Sequence, residues 1–80
     1  MNKNINFNNG SIVWCKECTF YDVYNVDIDD DRIELNDESG FVIGTIDTSV
    51  LDKCYYLSYD NDGRFSESNR LAKLATAGGD

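Results

Sequence analysis

Phe20-Tyr-Asp-Val-Tyr-Asn-Val-Asp-Ile28, Asp29-Asp-Asp-Arg32, Ile33-Glu-Leu-Asn36, Asp37-Glu-Ser-Gly40, Phe41-Val-Ile-Gly-Thr-Ile46 is the stretch on which the fold turns. Three runs rich in β-branched and aromatic residues are separated by two polar, turn-forming breaks. That pattern predicts a β-meander. Alternation puts Phe20, Asp22, Tyr24, Val26 and Ile28 on one face of the first strand, inward from Tyr24 onward. If Asp29 to Arg32 is a four-residue turn, Ile28 falls opposite Ile33 and Val26 opposite Leu35, so the apolar pairs match. The same register sets Asp27 against Glu34 on the outer side, where like charges cost stability. The third run is apolar on both faces, Phe41 and Ile43 on one, Val42 and Ile46 on the other. Such a strand is either covered on both sides or keeps one face for a partner. Gly44 inside it marks a bulge or bend.

Outward from this stretch the signals are weaker. In the first ten residues, Ile5 and Phe7 suit a short edge strand, and otherwise the segment is flexible; Asn9-Gly10 is a turn signal. Ile12-Val-Trp-Cys15 opens a strand. Asp47 to Asp52 reads as a polar corner or a single helical turn. Cys54 to Tyr59 is a further strand, followed by the turn residues Asp60-Asn-Asp-Gly63. Residues 66–77 form the one predicted helix: Ser66 can cap it, Glu67 lies in its first turn and Gly78 can end it. Its apolar stripe, Leu71, Leu74 and Ala75, is thin, so it must dock on the sheet or fray. The expectation is one domain over 1–80 of mainly β, β-rich α+β class. It is a small twisted antiparallel sheet of four or five strands, open or curled into an SH3-like barrel, with one C-terminal helix.

Composition narrows the function. Forty-one per cent of the 80 residues are hydrophobic, ten of them aromatic, which suffices for one core. No apolar run reaches the length of a membrane span and the N-terminus lacks the apolar segment of a secretion signal, which implies a cytoplasmic protein with no membrane partner. The net charge is −8, from 15 acids and seven bases. Between Asp27 and Glu38 lie seven acids, Asp27, Asp29, Asp30, Asp31, Glu34, Asp37 and Glu38, against the single base Arg32. Such a field disfavours direct nucleic-acid binding and attracts basic proteins. The chain has no histidine and no proline. That removes the commonest general base and metal ligand.

Three motifs carry residue types that chemistry could use. Trp14-Cys15-Lys16-Glu17-Cys18 resembles the thioredoxin-type redox site over five residues. That chemistry needs paired thiols at a helix N-terminus, whereas the flanks here are strand-like and no proline is available. On a continuous strand Cys15 and Cys18 would face opposite ways. With Cys54 the pair could supply three thiolates to zinc, one short of a structural site, and an odd cysteine count argues against a disulfide framework. Asp27, Asp29, Asp31 and Glu38 resemble positions one, three, five and twelve of an EF-hand calcium loop. Arg32, however, stands where that loop needs glycine. No nucleophile is paired with a base, so the chain reads as a non-enzyme without cofactor.

What remains is recognition. Alternate residues on a strand recur every ~6.5–7 Å, close to the spacing of successive phosphates along a nucleic-acid strand. Asp27, Asp29 and Asp31 would form one row, with Glu34, Asp37 and Glu38 as a second. Asp30 adds to the tip between them. In size and charge the chain is similar to the small acidic inhibitors of phages and mobile elements, such as anti-restriction and anti-CRISPR proteins; the similarity is one of composition, not motif. It implies a protein that occupies the basic surface of a nucleic-acid-binding host protein. The alternatives are an adaptor docking through Phe41, Ile43 and the tyrosines Tyr55, Tyr56 and Tyr59, and a cysteine-dependent metal or redox protein.

Overall fold

The computed structural model describes residues 2–59, 62–64 and 68–76. Six antiparallel strands form one sheet: β1 (Lys3–Cys15), β2 (Cys18–Ile28), β3 (Arg32–Asn36), β4 (Val42–Asp47), β5 (Cys54–Ser58) and β6 (Asn69–Arg70), in the order β4-β3-β2-β1-β5-β6. A 3-10 turn over Thr48–Lys53 joins β4 to β5, and a short helix, α1 (Leu71–Thr76), follows β6 directly. The β-rich class with one C-terminal helix therefore holds. The sixth strand is two residues long, too short to leave a periodic signal in the sequence. The SH3-like closure is absent, because β4 and β6 remain the two edges of the sheet.

The first ten residues are neither an edge nor loose. They belong to β1, which lies inside the sheet. Its first part, Lys3 to Asn6, pairs with Asn25 to Ile28; its second part, Ser11 to Cys15, lies between β2 and β5. The two parts are separated by a register shift. Gly10, at φ 78, makes that irregularity feasible: a Cβ there would lie 3.3 Å from the Tyr24 ring, which packs over the glycine. Ser11 is the one buried polar side chain among the described residues. Its hydroxyl is 2.6 Å from that of Ser58 on β5, so the polar atom is satisfied.

The β2–β3 hairpin has the register expected from the sequence: Ile28 opposite Ile33, Asp27 opposite Glu34, Val26 opposite Leu35. Further back along β2 the period-two reading fails. Core positions are Phe20, Val23, Val26 and Ile28, at intervals of three, three and two. The cause is bulging: Val13 and Ser11, two apart on β1, face Phe20 and Val23, three apart on β2, and Asp22 between them sits at φ 58. Asp22 is thereby exposed and Val23 fully buried, the reverse of the alternating assignment.

The core gathers Ile5, Phe7, Val13 and Cys15 of β1, Val23, Val26 and Ile28 of β2, Ile33 and Leu35 of β3, Ile46, Leu51 of the 3-10 turn, Cys54, and Leu71 with Ala75 of α1. The apolar stripe of α1 docks as expected, but α1 begins at Leu71; Asn69 and Arg70 are strand. The proposed caps Ser66, Glu67 and Gly78 lie outside the described residues. On β4 the shift between Leu35/Gly44 and Asn36/Val42 makes Ile43 the bulged residue, as Gly44 implied. The sheet curls far enough for the Phe20 ring to rest on Gly44, where a Cβ would stand 2.1 Å from the ring.

Candidate functional site

Register alone places the outward side chains. Directly opposed residues of antiparallel strands share a face, so Asn4, Asp27, Glu34 and Thr45 form one row across β1, β2, β3 and β4. Asn6, Asn25, Asn36 and Val42 form the next, and Arg32 with Asp47 begins a third. The asparagines are laced together. Asn25 exchanges hydrogen bonds with Asn4 at 2.9 Å in both directions, donates to Asn6, and accepts from Asn36 at 3.1 Å. This amide ladder ties β1, β2 and β3 together on the outer side. It ends against the Asp27–Glu34 pair. Glu34 makes an ion pair with Arg32 at 3.3 Å. Its geometry is exposed on the arginine side, so it offsets little of the repulsion from Asp27.

The tip is built by backbone contacts. Asp29 N–H donates to the Arg32 carbonyl at 2.9 Å, closing the turn over Asp30 and Asp31. The 3-10 turn braces it: Thr48 Oγ1 donates to the Asp29 carbonyl at 3.1 Å and Thr48 N–H to the Asp31 carbonyl at 3.3 Å. Asp30 and Asp31 are left exposed. Asp47, beside the tip, caps the 3-10 turn by accepting from Ser49 N–H at 2.8 Å. The Ser49 backbone and hydroxyl donors hold its carboxyl below the usual range.

Asp37 and Glu38 do not join this group. They lie at the other end of β3, roughly 16 Å away along a five-residue strand at ~3.3 Å per residue. Asp37 is engaged in structure: one carboxylate oxygen accepts from Ser39 N–H and Phe41 N–H, both at 2.9 Å, which fixes the turn into β4. Around it Asp22, Tyr24, Asp37, Glu38 and Ser39 line a shallow cleft of about 450 Å³. The seven acids thus divide into a face-and-tip group, Asp27, Asp29, Asp30, Asp31 and Glu34, and a second group, Asp37 and Glu38. Asp47 joins the first through β4 and Asp22 joins the second through its bulge. Neither had a signal in the linear charge run. The twelve residues that resemble a calcium loop are two strands and a turn, and among the described residues no group of three or more His, Cys, Asp or Glu is placed to hold a metal.

Apolar side chains flank the acidic face. Phe41 is 72% exposed, Val42 52% and Ile43 39%, all at the start of edge strand β4. Of the tyrosines, Tyr59 is 38% exposed, while Tyr55 and Tyr56 are engaged in ring contacts. Tyr55 stacks on Trp14 with ring centroids 5.7 Å apart, and Tyr56 packs on Phe7 at the same distance, against the core.

The cysteines are arranged otherwise than the alternation argument expected. Lys16, at φ 50, and Glu17 form a two-residue turn, so Cys15 and Cys18 are direct partners across the β1–β2 hairpin. Cys15 is also opposite Cys54 on β5. The Cys54 thiol donates to the Val50 carbonyl at 3.3 Å. Burial, above all, pushes its pKa up to about 12.

No protein-family model, curated protein or solved structure matches the chain. Among the described residues no helix is long and apolar enough to cross a membrane.

Proposed function

We propose that the protein is a non-enzymatic interaction module that binds a basic, nucleic-acid-binding protein through its acidic face and tip and thereby inhibits it, in the manner of phage-type nucleic-acid mimics. The observation that carries this reading is the Asp27–Glu34 pair. Two carboxylates are held directly opposite each other on a hydrogen-bonded sheet, at a cost to stability that a cationic partner would relieve. Asp29, Asp30 and Asp31 continue the charge at the braced tip. A preformed carboxylate array loses little conformational entropy on binding. The net charge of −8 speeds encounter with a cationic surface and makes affinity fall with salt.

The test is capture of partners from host lysate at low salt with elution by a salt gradient. A basic nucleic-acid-handling protein should elute at moderate salt and be displaced by DNA or RNA. Asp27→Lys with Asp30→Lys and Asp31→Lys should abolish its capture; retention by this variant would refute the acidic-face mechanism.

The exposure of Phe41, Val42 and Ile43 favours a second reading, an adaptor that docks by the β4 edge. It requires a partner retained at high salt and lost with Phe41→Ala.

A further inference from the structure

Cys18, Cys15 and Cys54 stand in one row across three adjacent strands, β2, β1 and β5. Directly opposed antiparallel residues have Cα atoms about 4.5 or 5.5 Å apart, and either distance lies inside the span a disulfide bridges. Opposed residues also point to the same side. The three thiols differ in access. Cys18 is exposed, Cys15 is buried but for 9% of its surface, and Cys54 is fully buried with its thiol given to the Val50 carbonyl. Cys15 and Cys18 both open onto a cleft of about 630 Å³ between the β1–β2 turn, β4 and the 3-10 turn; Ile46, Val50, Lys16 and Lys53 also line it. An exposed thiol beside a shielded one, with a solvent path to both, is the arrangement of an attacking and a resolving cysteine.

We propose that Cys18 and Cys15 form an oxidative modification site that reduces a hydroperoxide and closes as a cross-strand disulfide. Cys18 sulfur attacks the peroxide oxygen. The O–O bond breaks, an S–O bond forms, and the alcohol (or water, from hydrogen peroxide) departs. Cys15 sulfur then attacks Cys18 sulfur. The S–S bond forms, the S–O bond breaks, and the hydroxide leaves as water with the Cys15 proton. Two thiols supply the two electrons that the peroxide accepts. Cys54, its thiol given to the Val50 carbonyl, remains a thiol. A disulfide across a two-residue turn is of the constrained, exposed kind that thiols reduce readily, so the modification is reversible.

The whole chain is treated with hydrogen peroxide, blocked with N-ethylmaleimide and digested with trypsin without reduction. Cleavage after Lys16 separates the two cysteines, so the bridge joins peptides 4–16 and 17–32. The linked pair should appear in monomeric protein, with one thiol carrying N-ethylmaleimide, and dithiothreitol added after the peroxide and removed before the block should restore all three thiols. Cys54→Ser should keep the link. Cys18→Ser should lose its thiols about tenfold more slowly, since exposure governs oxidation. A predominant Cys15–Cys54 bridge, an intermolecular Cys18 dimer, or undiminished oxidation of Cys18→Ser would each overturn the assignment.

Discussion

Gly44→Ala isolates the contact by which the sheet curls. The glycine's φ lies outside the left-handed region, so alanine meets no backbone strain there. In an ordinary strand this exchange is neutral or stabilising, by up to about 1 kcal/mol. Here the new Cβ would lie 2.1, 2.6 and 2.9 Å from three carbons of the Phe20 ring. Either β4 shifts, an overpacking cost of about 1–3 kcal/mol, or the ring leaves the core and forfeits about 1.5–3 kcal/mol of burial. The cheaper route sets the result, so we expect a loss of about 2 kcal/mol, and for a domain this small a fall in Tm on the order of 10 °C. Urea unfolding at fixed pH reads it. In a Phe20→Ala background the same Gly44→Ala exchange should cost nothing or stabilise, a coupling of about 1.5 kcal/mol or more in the double-mutant cycle. Equal cost in both backgrounds would refute the contact's role.

Three other outcomes are expected. Asp27→Asn relieves the repulsion from Glu34 and should raise stability by about 0.2–1 kcal/mol; the gain, read by urea unfolding, should shrink in high salt. Asp47 carries a lowered carboxyl pKa, so the stability it contributes is present above the ordinary value of 3.8 and is lost as pH falls through the lowered one. NMR titration should place its midpoint below 3.8, and Ser49→Gly should bring it closer to that value. Cys54 remains protonated in the fold up to about 12 while its unfolded counterpart ionises near 9.0, so stability should decline as pH rises between those values. Cys54→Ala should flatten that slope in thermal melts, and alkylation at pH 8 should mark Cys18 well before Cys54.

The β2–β3 hairpin was legible because its signals are local. Ile28 and Ile33, Val26 and Leu35 pair across a turn of four residues, and the alternation on either side agrees with that register. The bulge at Gly44 was legible for the same reason. The register of β1 was not. Its partner on one side begins at Cys54, and nothing near Ile5 or Phe7 in the chain announces that they will lie in the middle of a sheet. The bulges of β2 were hidden because Asp22 and Tyr24 complete an alternating pattern that the backbone does not follow. The acidic site suffered from the same locality. Asp27, Glu34 and the tip could be assigned from one hairpin, whereas Asp22 and Asp47 join through elements that only the folded sheet brings near. The hairpin pairing of Cys15 with Cys18 was missed because a two-residue turn with Lys16 at positive φ lacks the Asn-Gly or Asp-Gly that usually marks one.

The position of β1 also bears on how the chain reaches its native state. A ribosome releases this strand before β2 to β6, yet one of its neighbours is β5, and the Ser11–Ser58 hydroxyl contact joins residues 47 apart. Until that segment emerges, the second half of β1 can pair only with β2, and Val13 and Cys15 wait without their eventual cover. Closing so long a loop must precede its reward, which slows folding relative to a chain of nearest-neighbour hairpins. The meander from β1 to β4 can zip early, whereas the side that buries Cys54 and receives α1 commits last. A nascent chain stalled before Cys54 would therefore present β1 as an open edge, the kind of template that chaperones or sister chains engage.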